Sequence, residues 1–547
     1  MKSTMKKTIV FAVMMVGLFL SACKDQLDIK NPNSPTPDNA SNERGIYKLA
    51  SGALYANGFV DLKFVDGVPG RFWTGAVGFH EVMGDIIGEE AANVYGNQLG
   101  CPNSVKLDDG TVVPNPQSPP TQKALIQLIN KNAQQGSNFL YYEWAYMYGL
   151  NGAMNVVLDV LGPNGDQVAF ASGGDTKSKV IQAWAHFWKG FAYSRVGSIY
   201  VAGIINDLPL ATNGNYVTSA AILAEAENQF AKAETILNGL SAGGDYDVAL
   251  GTLLPELVQS GKGGILTPTE WKHNINTLRA RNILVNKKVT AMTAADWNQV
   301  LTYTANGVTA SDHIFILRSN ATGDLMSATS GNIPAKTWGS TPQGGTYKVS
   351  ERLIQDFKTG DLRLDNNFHQ ETAWIGNSDR GNAFNTRWAL YDGGNGIAGT
   401  VVMCDRSVGG YELYTAGFYE ENELMKAEAN IYLNNIDTGL GSIDAVRDSQ
   451  GAGLAHVTGT GLTQAQAVAE LRSERRVALA FRGFAFYDAR RWDVLANGRT
   501  GAVVVDKDGN LNTNAEITYG FVEVWPVPDN ELVYNKPAEG SADVTIP

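Results

Sequence analysis

The sequence is poor in cysteine and histidine, and this limits the chemistry it can support. Its 547 residues include three cysteines and six histidines, and the histidines are scattered without metal-ligand spacing to one another or to a cysteine. Cys101 and Cys404 stand far apart, and two such lone cysteines more often stay free than pair, even in an oxidising compartment. We therefore predict no metal site and no cofactor, whereas metal occupancy and a bond between Cys101 and Cys404 are left open by the sequence.

Catalytic motifs are also missing. The sequence contains no G-x-S-x-G elbow, no H-E-x-x-H pair and no phosphate-cradling glycine loop. Its formal net charge of −12 argues against non-specific nucleic-acid binding. Carboxylates are plentiful, however, and two of them about 5 to 10 Å apart are enough for a glycoside hydrolase, so that alternative stays open.

The first residues have the layout of a secretory signal. Lys2, Lys6 and Lys7 precede an apolar run, Ile9–Leu20, that is shorter than the roughly 20 residues needed to span a bilayer. Leu20-Ser21-Ala22-Cys23 resembles a bacterial lipobox, although an ordinary cleavage site beside a chance cysteine is the alternative. We predict a signal peptide over residues 1–22, an acyl (palmitate) anchor on Cys23, and a flexible tether over 23–44.

The body, residues 45–547, shows helical periodicity in two stretches, mainly 140–308 and 411–497. Ile181, Trp184, Trp188, Phe191, Arg195 and Ile199 form one stripe, and similar patterns cover 220–237, 271–308, 411–435 and 465–495. Helix pairs of this kind are typical of tetratricopeptide repeats, although no repeat matches that signature well. The predicted fold is mainly α: a tetratricopeptide-like helical-repeat scaffold with long aromatic-rich loops and a few short β-hairpins.

Helical periodicity fades in two loop-rich stretches, mainly 60–120 and 309–410. The second contains Trp338, Tyr347, Trp374, Trp388 and Tyr391, too many aromatic residues for a plain disordered linker. Long loops inside a compact protein are usually functional or disordered. We therefore expect the ligand region here.

Two Asp-Gly pairs, Asp109-Gly110 and Asp508-Gly509, separate extended runs and predict β-hairpins. Asp506, Asp508 and Asn510 also look slightly like a calcium loop. Gly509 falls at the fourth position instead of the sixth, and no glutamate follows at the twelfth, so the hairpin is favoured.

Motifs near the C-terminus carry a family resemblance. They are Met425-Lys426-Ala427-Glu428-Ala429, Ala445-Val446-Arg447, Glu474-Arg475-Arg476, Phe481-Arg482-Gly483-Phe484, Phe486 to Trp492, and Trp525-Pro526-Val527-Pro528 with Glu531-Leu532; Phe191-Ala192-Tyr193 and Asp207-Leu208-Pro209-Leu210 lie upstream. In order and spacing they resemble the SusD/RagB family of nutrient-binding lipoproteins of Bacteroidetes. Arg482 stands where many members have Glu, and Ala485 where they often have Arg.

The resemblance implies a non-enzymatic lipoprotein on the outer face of the outer membrane. Such a protein covers a TonB-dependent, SusC-like transporter like a lid and passes it an oligosaccharide or, in some members, a peptide. Glu474, Arg475, Asp488, Arg490 and Arg491 are then expected to form charge-assisted hydrogen bonds that hold helices and the terminal strap together, with Trp492 in the same structural cluster. A catalytic role for Glu474 and Asp488 is the sharper alternative.

Sugar recognition needs aromatic planes for the C–H faces of the rings and polar side chains for their hydroxyls. By that logic the candidate ligand-binding residues are Trp73, His80, Trp338 and Trp374, with Arg71 and Asn93 as polar neighbours. Trp144, Trp184, Trp188 and Trp492 lie in helical stripes and are expected in the core. A structural or adhesion protein without a small ligand is a second alternative.

Overall fold

The computed structural model describes residues 41–55, 72–89, 95–209, 211–318, 331–339, 345–375 and 385–546. The predicted signal peptide, Cys23, Arg71 and Asn93 lie outside the described residues. Within the described ranges, no helix is both long enough and apolar enough to cross a membrane. Cys101 and Cys404 are buried free thiols.

Helices dominate the described residues, which confirms the predicted mainly α fold. They are α1 (Glu43–Tyr55), α2 (Ala76–Met83), α3 (Gly96–Leu99), α4 (Gln122–Ile129), α5 (Leu140–Leu161), α6 (Gly174–Ile199), α7 (Ser219–Asn238), α8 (Asp245–Leu253), α9 (Pro268–Val285), α10 (Ala294–Ala305), α11 (Ile333–Thr337), α12 (Glu351–Ile354), α13 (Leu362–Asn367), α14 (Tyr419–Tyr432), α15 (Ile436–Ser449), α16 (Gln464–Ala478), α17 (Ala485–Arg491), α18 (Val494–Asn497) and α19 (Asp529–Leu532).

Helix α6 is the centre of the scaffold, because it is apolar on nearly every side. It packs against α5 and α7, while α9, α10, α14, α15 and α16 continue the array. Trp184 and Trp188 on α6 are fully buried and meet Trp271 of α9 and Phe315 edge to face. Gly190 lets α7 approach, since a Cβ there would lie 2.6 Å from the Phe230 ring.

Helix starts follow sequence signals. Thr267 begins α9 with a capping box: its hydroxyl accepts the backbone N–H of Glu270, whose carboxylate accepts the N–H of Thr267. Thr463 and Gln466 make the same arrangement at α16. Capping of this kind fixes the residues at which α9 and α16 begin.

Two predicted helices are shorter than their patterns suggested. Within 411–435, Glu412–Tyr414 is a strand, and α14 begins at Tyr419. Leu413 is buried all the same, because the strand pairs with Ile316–Arg318. Within 465–495, the chain leaves the helix after Ala478, since Phe481 (φ 65°) and Gly483 (φ 84°) adopt left-handed backbone that no α-helix can include.

The strands are short and mostly paired in twos. They are β1 (Ile87–Glu89), β2 (Ser104–Lys106), β3 (Val112–Pro114), β4 (Ala202–Ile204), β5 (Tyr216–Thr218), β6 (Ile316–Arg318), β7 (Tyr347–Val349), β8 (Phe368–Ile375), β9 (Thr386–Leu390), β10 (Glu412–Tyr414), β11 (Arg499–Val505) and β12 (Leu511–Thr518). The two Asp-Gly sites are hairpin turns, β2–β3 and β11–β12, and both hairpins join one four-stranded antiparallel sheet. Asp506 accepts backbone N–H groups of the second turn, as a plain hairpin requires.

The C-terminal segment is an extended strap laid across the scaffold. Trp525 forms a parallel bridge with Tyr200, at the end of α6, and its side chain is fully buried. Its backbone N–H donates to Ile199, and its carbonyl accepts from Val201. The strap therefore fixes the C-terminal end of α6.

Candidate ligand-binding face

Three tryptophans of the loop-rich region remain partly exposed, and they define the candidate site. Trp338 follows α11, Trp374 lies near the end of β8, and Trp388 lies on β9. We call these three residues, with the cations Lys336 and Arg406, the tryptophan region. Trp144, Trp184 and Trp188 of the helical scaffold are instead fully buried, as predicted. Trp492, which was also predicted in the core, is partly exposed.

Trp338 is positioned by the short helix before it. The side chain of Asn332 accepts the backbone N–H of Ala335 at 2.9 Å and starts α11, and Pro334 suits the first turn. The guanidinium of Arg406 lies 4.2 Å from the centre of the Trp338 ring. Such a cation over an indole contributes about 0.5 to 2 kcal/mol, and it places a cation beside an aromatic plane.

Lys336 ties α11 to the β1–β7 pair. Its ammonium group donates to Glu89 at 2.7 Å and lies 4.1 Å from the centre of the Tyr347 ring. Glu89 and Tyr347 face each other in the strand register, and the Tyr347 hydroxyl donates to the backbone of Thr74. Burial raises the pKa of Tyr347 well above its ordinary value, so this hydroxyl stays protonated.

The other two tryptophans are carried by the β8–β9 hairpin. Trp388 pairs with Gln370 in the register, and its indole N–H meets no acceptor among the described residues. The indole of Trp374 rests on Gly509 in the β11–β12 turn, where an added Cβ would lie 2.6 Å from Nε1. The turn glycine therefore leaves room for Trp374.

The loop-rich region is anchored to the rest of the molecule through buried ion pairs. Arg352 on α12 grips the carboxylate of Asp85 with Nε at 2.9 Å and Nη2 at 2.7 Å, and Tyr519 donates to the same carboxylate at 2.6 Å. Burial alone would raise the pKa of Asp85, but the charge of Arg352 outweighs it and holds the pKa below its ordinary value. The anchoring carboxylate is thus ionised.

The structure encloses two of the predicted ligand residues. Trp73 is 5 % exposed and packs edge to face on Phe72 at 4.9 Å. His80 is fully buried, bonded to Glu143 at 2.6 Å and stacked between Tyr487 and Trp525. Because both side chains are enclosed, the geometry does not support a surface binding role, and that role stays a prediction.

The predicted structural residues split into two groups. Arg475 and Arg491 share the carboxylate of Asp488, and Arg491 also grips Glu428 with both terminal nitrogens at 2.5 Å. The Trp492 indole donates to Glu428 at 3.4 Å. Burial alone would raise the pKa of Asp488, but the two guanidinium groups hold it below its ordinary value.

Glu474 makes a different connection. It accepts from Arg363 of α13 at 2.6 and 3.1 Å and from Arg447 of α15 at 2.8 Å. The residue therefore joins the loop-rich region to the scaffold. Arg490 has backbone partners: it donates to Ser198, Val285 and Glu523, at the C-terminal ends of α6 and α9 and on the strap. Glu474 and Asp488, the two residues of the catalytic alternative, are both buried and bonded to arginines.

The sequence analysis did not single out Lys336, Glu89 or Arg406 for this site. They are separated by up to 317 positions in the printed sequence, and no motif links them. The aromatic density of the loop-rich region was the one signal that pointed here.

Comparison with known proteins agrees with this architecture. Residues 419–538 match the model of the SusD family. A SusD-like protein from Bacteroides fragilis superimposes with a TM-score of 0.54 at 14% identity, covering 92% of this chain and 99% of the other. Residues 419–538 therefore resemble the SusD family, and the chain as a whole shares the fold of SusD-like structures.

Two further structures show the same fold. A SusD-like carbohydrate binding protein from Bacteroides vulgatus has a TM-score of 0.53 at 14% identity, with 92% of this chain and 98% of that chain covered. NanU from B. fragilis has a TM-score of 0.53 at 12% identity, with coverages of 94% and 100%. A search of curated proteins finds no match. The stretch matched by the SusD family model begins at Tyr419, so the tryptophan region lies outside it.

Proposed function

We propose that this SusD-like protein is a non-enzymatic, cell-surface nutrient-binding lipoprotein. It captures an oligosaccharide, or alternatively a peptide, and delivers it to a TonB-dependent SusC-like transporter of the outer membrane. The observation that carries the proposal is the tryptophan region: Trp338, Trp374 and Trp388 are partly exposed, and the guanidinium of Arg406 lies over the Trp338 ring. Loops held by a rigid frame are where binding residues concentrate.

The chemistry of the region suits sugars. Indole faces pack on the apolar C–H faces of pyranose rings, while the partly exposed Arg406 provides donors for hydroxyl groups. One relative of the same fold is named a carbohydrate binding protein, which supports a glycan as the first ligand class to test.

The anchor completes the proposal. Acyl chains on Cys23 would hold the protein at the membrane, since each buried CH₂ contributes about 0.8 kcal/mol. The predicted tether, shortened at its end because Glu43 begins α1, would let the folded body reach the transporter. Growth of the cells with an alkyne-bearing fatty acid should label the wild-type protein and leave Cys23→Ser unlabelled; equal labelling of both would reject the anchor.

Capture without chemistry is supported by two buried carboxylates of the loop-rich region that are held by arginines. The Glu351 carboxylate accepts the guanidinium and the backbone N–H of Arg387, and the Asp361 carboxylate accepts from Arg363. A glycoside hydrolase would need an acid and a base with exposed, uncommitted oxygens.

The experiment is a titration of the chain from Lys24 onward with a panel of oligosaccharides and peptides. Calorimetry and tryptophan fluorescence measure the binding. Ligand recovered afterwards is analysed by mass spectrometry. Saturable binding with intact ligand is expected, weakened at least tenfold in Trp338→Ala. Trp297→Phe is the matched control, because Trp297 is buried and stacked on Tyr432 in a separate cluster. Cleaved ligand would replace the proposal with the hydrolase alternative.

A second experiment tests the partner. The protein is purified from its native membranes in mild detergent, and co-purifying proteins are identified. A large β-barrel transporter at constant stoichiometry is expected. Recovery of the protein alone, with no binding to any ligand of the panel, would favour a structural or adhesion protein.

A further inference from the structure

A small cavity of about 40 Å³ lies inside the scaffold, between α6, α9, residues 414–418 and the loop that begins at Arg482. Trp73 and Phe191 form part of its apolar wall. A space of this size holds a few water molecules or one small ion with water, and it is too small for a sugar.

Three guanidinium groups line this cavity. They belong to Arg195 on α6, Arg281 on α9 and Arg482 in the loop between α16 and α17. Each lies on an aromatic ring: Arg195 at 5.0 Å from Phe72, Arg281 at 5.0 Å from Phe484, and Arg482 at 4.2 Å from Tyr414. The three cations therefore converge from three different elements on one space.

Carboxylates compensate two of these cations. Arg195 donates to Glu143 at 2.5 Å, and Arg281 donates to both oxygens of Glu421 at 2.5 and 2.6 Å. Arg482 donates to the backbone carbonyl of Glu412 at 3.2 Å and has no carboxylate within ion-pair distance among the described residues. The Glu412 carboxylate is bound to Arg318.

The neighbouring carboxylate of Glu81 is also engaged elsewhere. It accepts the backbone N–H groups of Phe481, Gly483 and Ala485 at 3.0, 2.8 and 3.3 Å. These bonds hold the loop in its left-handed conformation at Phe481 and Gly483. A non-glycine residue in that conformation costs energy and persists where surrounding structure imposes it. The loop thus fixes the position of Arg482.

The three arginines also keep donors that described residues do not use. Nη2 of Arg195 is buried without an acceptor, and Nη1 of Arg281 makes no hydrogen bond within the described ranges. Nε and Nη2 of Arg482 are likewise without a described acceptor. Of these donors, Arg195 Nη2 is fully buried, and a buried donor without an acceptor is costly. An anion in the cavity would relieve that cost.

We propose that this cavity binds one small anion, a halide or a carboxylate-sized oxyanion, through Arg195, Arg281 and Arg482. The anion supplies the third negative charge and accepts donors from all three guanidinium groups. The bound anion joins α6, α9 and the Arg482 loop. This site is separate from the proposed nutrient binding, which uses the tryptophan region. Water alone in the cavity is the competing occupant.

Thermal unfolding of the chain from Lys24 onward tests this. Protein dialysed into sodium gluconate, whose anion is too large for the cavity, is titrated with sodium chloride or formate at constant ionic strength. A saturable rise in Tm of about 2 to 5 °C is expected. Arg482→Met should abolish the rise, and Lys507→Met, which removes an exposed cation, should keep it. An equal response of the wild type and Arg482→Met would overturn the proposal.

If Arg482→Met does not fold, crystals of the wild type grown in sodium bromide decide the matter. An anomalous bromide peak in the cavity, beside the Arg482 guanidinium, would support the anion site. Water density there, with no anomalous signal, would reject it. Both results are independent of whether the protein binds a glycan.

Discussion

The helical scaffold and the loop-rich region use the same residue types in opposite ways. In the scaffold, Trp184 and Trp188 are fully buried, and Arg491 is bonded to Glu428 and Asp488. In the loop-rich region, Trp338 stays partly exposed, and Arg406 has no carboxylate within ion-pair distance among the described residues. Hydrogen bonds and ion pairs between protein groups fix the geometry of the scaffold, whereas partly exposed aromatic and cationic groups can make these contacts with a ligand.

The two regions are nevertheless joined by ion pairs of the scaffold type. Arg363 with Glu474, and Arg352 with Asp85, hold the base of the loop-rich region at fully buried positions. The rigid base and the exposed tryptophans together give the preorganisation that ligand binding requires, because ordering loops on binding costs free energy.

The largest effect is expected from breaking the scaffold network. Arg491→Met leaves Glu428 and part of Asp488 as buried charges without their main partner, and this should lower the free energy of unfolding by about 3 to 5 kcal/mol. Urea denaturation followed by circular dichroism measures it. Lys179→Gln, which breaks an exposed i,i+4 pair with Asp175, is the control and should cost less than about 1 kcal/mol. Similar losses in both variants would contradict the assigned role of the network.

The second effect compares tryptophans between the regions. Trp188→Ala empties a fully buried site and should lower the free energy of unfolding by about 3 to 5 kcal/mol. Trp338→Ala removes a partly exposed ring, so its stability loss should be smaller while ligand affinity falls. Paired denaturation and binding measurements test this, and a Trp338→Ala protein with unchanged affinity would remove Trp338 from the site.

The third effect is a pH dependence of the free energy of unfolding, and it comes from Glu81, where α2 contacts the Arg482 loop. Burial raises the pKa of Glu81 from its usual 4.5 to about 7 against the opposing backbone N–H groups. The pKa of Glu81 is higher in the folded state than in the unfolded state, so protonated Glu81 favours the folded protein. This stabilisation is fully present below about pH 4.5 and is lost as the pH rises through about 7. Its size is at most on the order of 3 kcal/mol.

Glu81→Gln keeps an acceptor but cannot ionise, so it should flatten the stability profile between pH 4.5 and 7. Chemical denaturation at several pH values measures the slope. An identical slope in the wild type and the variant would show that Glu81 does not titrate in this range.

The smallest effect is a difference between glycine substitutions in two similar hairpins, β2–β3 and β11–β12. Gly110 and Gly509 both have positive φ, 87° and 84°, so replacement of either by Ala should cost about 1 kcal/mol. A Cβ at Gly110 would meet nothing within 4 Å, whereas one at Gly509 would collide with Trp374. Gly509→Ala should therefore also change tryptophan fluorescence and weaken ligand binding, and Gly110→Ala should do neither. Equal behaviour of the two variants would exclude Trp374 from the binding face.

The sequence predicted the scaffold better than the site, for physical reasons. Helical stripes act locally, so the presence of α6 and α9 could be predicted from their own segments, although both helices begin before the predicted stripes. The helix break at Phe481 could not, because it depends on Glu81, 400 positions away. Trp73 and His80 stand in an aromatic, glycine-rich segment like that of Trp338, and burial depends on neighbours that local sequence does not contain.

Hydrogen exchange with and without a saturating oligosaccharide tests the central claim most directly. The account predicts that ligand slows exchange in residues 331–339, 386–390 and 404–410, around Trp338, Trp388 and Arg406, and leaves α6 and α9 unchanged. Protection confined to the helices, with none in those three segments, would contradict the assignment of ligand binding to the loop-rich region.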